Sequence, residues 1–101
     1  MGVATIINAD VNQWIQNTEI EHGLRIEKVV TPSFVPYVSN GDRVTIQANV
    51  DEKGRVTQTQ SLEYTNENLA DAYEYAVRKW KFEQKGNDYV VIIPIVASNI
   101  N

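Results

Sequence analysis

The sequence predicts a small α+β domain in which an antiparallel sheet of about three strands packs one face against one main helix. Three observations support this prediction. Residues 43–50 alternate apolar and polar side chains, residues 69–80 carry an apolar stripe at helical spacing, and residues 89–96 form an apolar run. Alternation is typical of a half-buried strand, and the longer period is typical of an amphipathic helix. With the strand predicted for residues 56–62, the order of elements is β-β-α-β.

Length and composition are those of a single globular domain. The chain has 101 residues, of which 43% are hydrophobic, and this is enough to bury a core. Its net charge of -4 argues against nucleic-acid binding, which requires clustered Lys and Arg. No segment reaches the roughly 20 apolar residues that cross a bilayer, and residues 1–4 lack the features of a signal peptide. We therefore expect a cytosolic protein, or one whose signal or anchor lies outside this sequence.

Residues 1–31 form a predicted amino-terminal extension. Strand-like segments at residues 3–7 and 24–30 are separated by a stretch with helical spacing at residues 10–17. Asp10 is a candidate N-cap for that stretch, because its carboxylate can accept a backbone N–H of the first turn. We expect a short helix and one or more extra strands in this extension.

A β-hairpin is predicted between residues 43 and 62. The return strand at residues 56–62 is rich in Gln and Thr, which indicates a solvated outer strand. Gly54 is expected in the turn, because glycine adopts positive φ without steric cost. The apolar residues of the first strand recur at every second position: Val44, Ile46, Ala48 and Val50.

The main helix is predicted to start after Asn66, a candidate N-cap, and residues 76–83 are predicted to form its last part. Trp80 and Phe82 are expected to be core residues, because buried aromatic side chains contribute about 3 to 5 kcal/mol when truncated. The stripe that should pack on the sheet consists of Leu69, Tyr73, Ala76 and Trp80.

The last strand, residues 89–96, has apolar side chains on both faces, so we expect both faces to need cover. Pro94 lacks a backbone N–H and therefore indicates an edge or a bulge at that position. Two interpretations remain open, namely burial against the helix and the amino-terminal segment, or a partner-binding edge. The candidate partner-binding residues are Tyr89, Val90, Val91, Ile92 and Ile93.

Four segments of the chain follow one another in a distinctive order and spacing. They are Pro32-Ser33-Phe34-Val35, the Val-x-x-x-Gly-x-Val pattern of residues 50–56, Trp80-Lys81-Phe82, and Pro94-Ile95. Together they are similar to the carboxyl-terminal domain of the TonB family of energy transducers. The similarity covers residues 32–97 and implies a TonB carboxyl-terminal-like domain at residues 32–101, with Gly54, Trp80, Phe82 and Pro94 in structural roles.

The resemblance implies a non-enzymatic, periplasmic protein-binding module that serves energy transduction and transport. Such a module recognises an extended peptide of an outer-membrane transporter by β-augmentation at the last strand. The alternative is a structural or self-association domain without a transport role, whose last strand is covered in cis or in a homodimer.

An enzyme is the least favoured class, because no nucleophile with a base, phosphate loop or metal set can be assembled from the sequence. His22 lies near Glu19 and Glu21, but a metal site would need further His or Cys ligands. We therefore expect no metal and no cofactor.

Overall fold

The structure is a computed structural model that describes residues 3–4, 6–7, 18, 23–32 and 35–99. Its fold is α+β, as the sequence predicts. The short helix predicted at residues 10–17 and the cluster around His22 lie outside the described residues. The elements are β1 Val3–Ala4, β2 Ile6–Ile7, β3 Ile26–Lys28, β4 Val35–Pro36, β5 Arg43–Val50, β6 Val56–Tyr64, α1 Glu67–Val77, β7 Lys81–Phe82, β8 Tyr89–Val96 and β9 Ser98–Asn99.

The main sheet has the strand order β6-β5-β8, and both of its pairings are antiparallel. Strand β5 is central, so the prediction that β6 is an outer strand is confirmed. Helix α1 packs against β5 and β6. The side chains that β5 directs into the core are all 0–1% exposed: Val44, Ile46, Ala48 and Val50.

The turn between β5 and β6 is fixed by Asp51 and Gly54. One carboxylate oxygen of Asp51 accepts the backbone N–H groups of Lys53 and Arg55, both at 2.9 Å. Gly54 has the predicted positive φ, 86°, and its carbonyl oxygen accepts the N–H of Phe82 at 2.8 Å. A Cβ at position 54 would overlap the carbonyl oxygen of Phe82. The turn is therefore docked directly on β7.

Helix α1 starts as predicted, because the side chain of Asn66 accepts the N–H of Leu69 at 3.1 Å. It ends earlier than predicted, at Val77. The N–H groups of Lys79 and Trp80 bond three residues back, which tightens the chain into a turn. The prediction was therefore wrong for Lys81–Phe82, which form β7 instead, because long-range bonds to Gly54 and Arg25 extend the backbone there.

Trp80 and Phe82 are buried, with 2% and 0% of their surface exposed, which confirms their predicted place in the core. The indole N–H of Trp80 donates to the carbonyl oxygen of Val30 at 2.7 Å. Strand β3 pairs with β7, and Leu24 belongs to the same hydrophobic core. Residues 24–30 thus pack directly on the elements that follow residue 32.

Substituting Gly54 by Ala is expected to destabilise the protein more than substituting Gly41 by Ala. Both glycines have positive φ, 86° and 92°, but an added Cβ at Gly41 meets no atom within 4 Å. Gly41→Ala should therefore cost only the backbone strain of about 1 to 2 kcal/mol. Gly54→Ala adds the overlap with Phe82 and should cost about 2 kcal/mol more. Urea unfolding measures both values, and equal losses would contradict the close docking of the turn on β7.

Candidate protein-interaction edge

Strand β8 buries one face and exposes the other. Val91, Ile93 and Ile95 are at most 6% exposed, whereas Val90 is 57% exposed and Ile92 is 44% exposed. We expected both faces of this strand to need cover. Among the described residues only the core face is covered. The opposite face of the sheet presents the side chains of Val90 and Ile92 as an apolar stripe.

The direction of the main-chain N–H and carbonyl groups also alternates along β8. The N–H of Ala97 donates to the carbonyl oxygen of Asp42 at 2.7 Å, in the register that pairs Ile95 with Val44. In an antiparallel pair every second residue bonds to the neighbouring strand, so the odd-numbered residues of β8 direct their main-chain groups towards β5. Arg43 agrees with this assignment, because its own N–H and carbonyl oxygen bond to Thr65 on the other side.

The even-numbered residues of β8 consequently direct their main-chain groups away from β5, to the outer edge of the sheet. Pro94 is one of them and lies opposite Thr45. Its missing N–H thus costs no ladder bond, which confirms the predicted edge position. Among the described strands none pairs with the outer side of β8, and β3 pairs with β7 instead. The donors that β8 offers outward are the N–H groups of Val90, Ile92 and Val96.

The five predicted partner-binding residues divide into three groups. Val90 and Ile92 have exposed side chains and direct their main-chain groups to the outer edge, where no described strand pairs with them. Val91 and Ile93 point into the core and bond to β5, so they are withdrawn from any partner. Tyr89 is half-buried, and its hydroxyl donates to the carbonyl oxygen of Glu83 at 2.7 Å. Burial, together with the charges of nearby acids, raises the pKa of Tyr89.

A groove of about 670 Å³ lies at the end of the sheet where β5 starts and β8 ends. Sequence reasoning missed it, because its lining comes from three strands that only the register brings together. The side chain of Arg43 forms no ion pair with any described residue, so the groove contains a cation that is available to an acidic group. The polar residues that line it are Arg43, Thr45, Glu63 and Thr65, beside Pro94 and Val96.

The same end of the sheet is held together by the carboxylate of Asp42. It accepts the backbone N–H of Ser39 at 2.8 Å, the hydroxyl of Thr65 at 2.9 Å and the amide of Asn66 at 3.1 Å. The bond from Ser39, and then those from Thr65 and Asn66, lower the pKa of Asp42, although partial burial opposes them. This network joins the loop before β5, the end of β6 and the N-cap of α1.

Other kinds of site find no support in the described residues. No group of three or more His, Cys, Asp or Glu side chains there is placed to hold a metal ion. No helix within these ranges is long and apolar enough to cross a bilayer. Comparison of the chain with protein-family models, curated proteins and solved structures finds no match. The β8 edge is therefore the candidate site, on its own geometry.

Replacing Asp42 by Asn is expected to lower the thermal midpoint at neutral pH, because both carboxylate oxygens accept donors here and the NH2 group of an amide cannot accept. A lowered folded-state pKa stabilises the fold above the ordinary value of 3.8. That contribution is lost as the pH falls through the folded-state pKa, so the two proteins should converge in acid. Asp88→Asn, at an exposed loop position, serves as the control. A difference between Asp42→Asn and the parent protein that is constant with pH would contradict this role.

Proposed function

We propose that this protein is a non-enzymatic binding module that accepts an extended segment of a partner protein along the outer edge of β8. The observation that carries the proposal is the outward direction of the main-chain groups of Val90 and Ile92 at an edge without a described strand partner. A segment aligned beside β8 would become a fourth strand of the sheet. Main-chain hydrogen bonds would then give affinity.

The side chains at this edge support the same function. Exposed apolar side chains that stand singly on a surface are ordinary. Val90 and Ile92 are different because their main-chain donors and acceptors face the outer edge, where none of the described strands pairs with them. Cross-strand pairs of apolar side chains contribute about 0.2 to 1 kcal/mol each. An incoming segment with apolar residues on that face would gain this contribution in addition to its main-chain bonds.

The sequence resemblance suggests the class of partner. The order β5-β6-α1-β8 is the order implied by a TonB-type carboxyl-terminal domain, and this supports the proposal. The partner would then be a short segment of an outer-membrane transporter, and the module would act in the periplasm in energy transduction. The cationic side chain of Arg43, which forms no ion pair among the described residues, lies near the end of β8 and would suit an acidic group in that segment.

The ionisable groups with shifted pKa support a non-enzymatic role. Asp42 and Asp51 both have a lowered pKa because they accept backbone N–H groups in turns. Tyr89 is anchored to a backbone carbonyl. For the two aspartates the shift arises from contacts that hold a loop in place, and for Tyr89 it arises from burial and nearby acidic charges. Catalytic groups, in contrast, have their pKa tuned within a cleft that receives a substrate.

A structural or self-association role is the second candidate, with the last strand covered in cis or in a homodimer, and one observation favours each form of cover. Strand β2 pairs with β9, which directly follows β8, so the chain already covers the continuation of this strand with its own amino-terminal segment. The outer edge is also self-complementary. About a two-fold axis, Val90 of one copy can face Ile92 of a second copy and exchange main-chain bonds with it.

Peptide binding by matched variants tests the proposal. The probe is a blocked, fluorescent seven-residue peptide, Lys-Thr-Val-Thr-Val-Thr-Lys, which is extended and apolar at alternate positions. Ile92→Lys should weaken its binding by about tenfold, because the charge enters an apolar cross-strand contact. Leu62→Lys is the control, since Leu62 is 46% exposed on β6, at the opposite edge of the sheet. Its effect should stay below about twofold.

Fluorescence anisotropy gives the affinities, and circular dichroism establishes that both variants are folded. Equal weakening by the two substitutions, or no measurable binding by the parent protein, would contradict a peptide-binding edge at β8. Sedimentation velocity separates the two candidates. A parent protein that is dimeric, and becomes monomeric only with Ile92→Lys, would favour self-association over peptide binding.

A further inference from the structure

We propose, on the basis of the peptide-binding function above, that Pro94 limits the length and register of the partner segment. Before Pro94, Val90 and Ile92 would offer complete donor–acceptor pairs, so the site takes a short extended segment centred on these two residues. The inference rests on the alternation of β8, on the position of Pro94 within it, and on the pairing of the residues that follow.

The outward residues of β8 are not equivalent. Val90 and Ile92 each present an N–H and a carbonyl oxygen, whereas Pro94 presents a carbonyl oxygen alone. A partner strand that runs past Pro94 must therefore leave one of its own carbonyl oxygens without a donor. The ladder is interrupted there, although the carbonyl of Pro94 can still accept one N–H.

The chain pairs with itself just beyond Val96. Ser98 pairs with Ile7 and Asn99 pairs with Ile6, so a strand of the same chain accompanies the residues after β8. Past Pro94 only Val96 remains in β8, so a long partner segment would gain little there. The gap at Pro94 therefore sets the end of the productive edge.

The geometry of β8 also sets requirements for the sequence of the partner segment. The two residues opposite Val90 and Ile92 must each donate an N–H, so neither can be proline. Their side chains would lie on the open face, directly beside the apolar stripe. On the other side of that stripe lie Asn49 and Gln47, which pair with Val90 and Ile92. The preferred segment therefore has apolar, β-branched residues at two alternate positions. There they would pack beside Val90 and Ile92, whose neighbours on β5 are polar.

Two peptide lengths and one substitution test this inference. The short probe is the seven-residue Thr/Val peptide, and the long probe extends the same alternation by four residues so that it spans Pro94 and Val96. In the parent protein the long probe should bind less than about twofold more tightly than the short one. Pro94→Ala restores an outward N–H, so it should tighten the long probe by about fivefold, the value of one net hydrogen bond, and leave the short probe unchanged.

A parent protein that binds the long probe about fivefold or more tightly than the short one would overturn the register inference and leave the proposed function intact. A Pro94→Ala variant that gives no gain for the long probe would do the same. N-methylation of the short probe tests the proposed function separately. A methyl group on a backbone nitrogen of the peptide should weaken binding only at alternate residues, namely those whose N–H faces β8. Equal effects at every residue, or no binding of either probe, would overturn strand addition at β8 itself.

Discussion

The antiparallel ladder between β5 and β8 is the interaction on which the rest of this structure depends. Its register pairs Ala48 with Val91 and Ile46 with Ile93, which places the buried side chains of both strands on the same face. Since the register also fixes the direction of each main-chain group, it leaves every second residue of β8 turned outward. A slip by one residue would bury Ile92 and expose Ile93.

The remaining elements hold that ladder in place from the core side. Helix α1 packs on β5 and β6. After the helix, the indole N–H of Trp80 donates to the carbonyl oxygen of Val30. The β5–β6 turn is fastened to β7 through Gly54. These contacts lie on the buried face or at the ends of the sheet. Among the described residues, these packing contacts all lie away from the outer edge of β8.

The sequence predicted the elements with strong periodicity and missed what depends on long-range pairing. The β5–β6 hairpin, the N-cap Asn66 and the core position of Trp80 follow from local patterns, and the structure confirms them. The local pattern around Lys81 looks helical, but the bond from Phe82 to Gly54 makes it a strand. For β8, an apolar run has no visible alternation, so sequence alone could not separate Val90 and Ile92 from their buried neighbours.

Amide hydrogen exchange of β8 tests the central claim most directly. In the free monomer the N–H groups of Val91, Ile93 and Ile95 should be protected by their bonds to β5, whereas those of Val90 and Ile92 should exchange as open-edge amides. Resolved by NMR, the protection factors are thus expected to alternate along the strand. Equal, strong protection of Val90 and Ile92 would mean that this edge is already paired and would contradict the account.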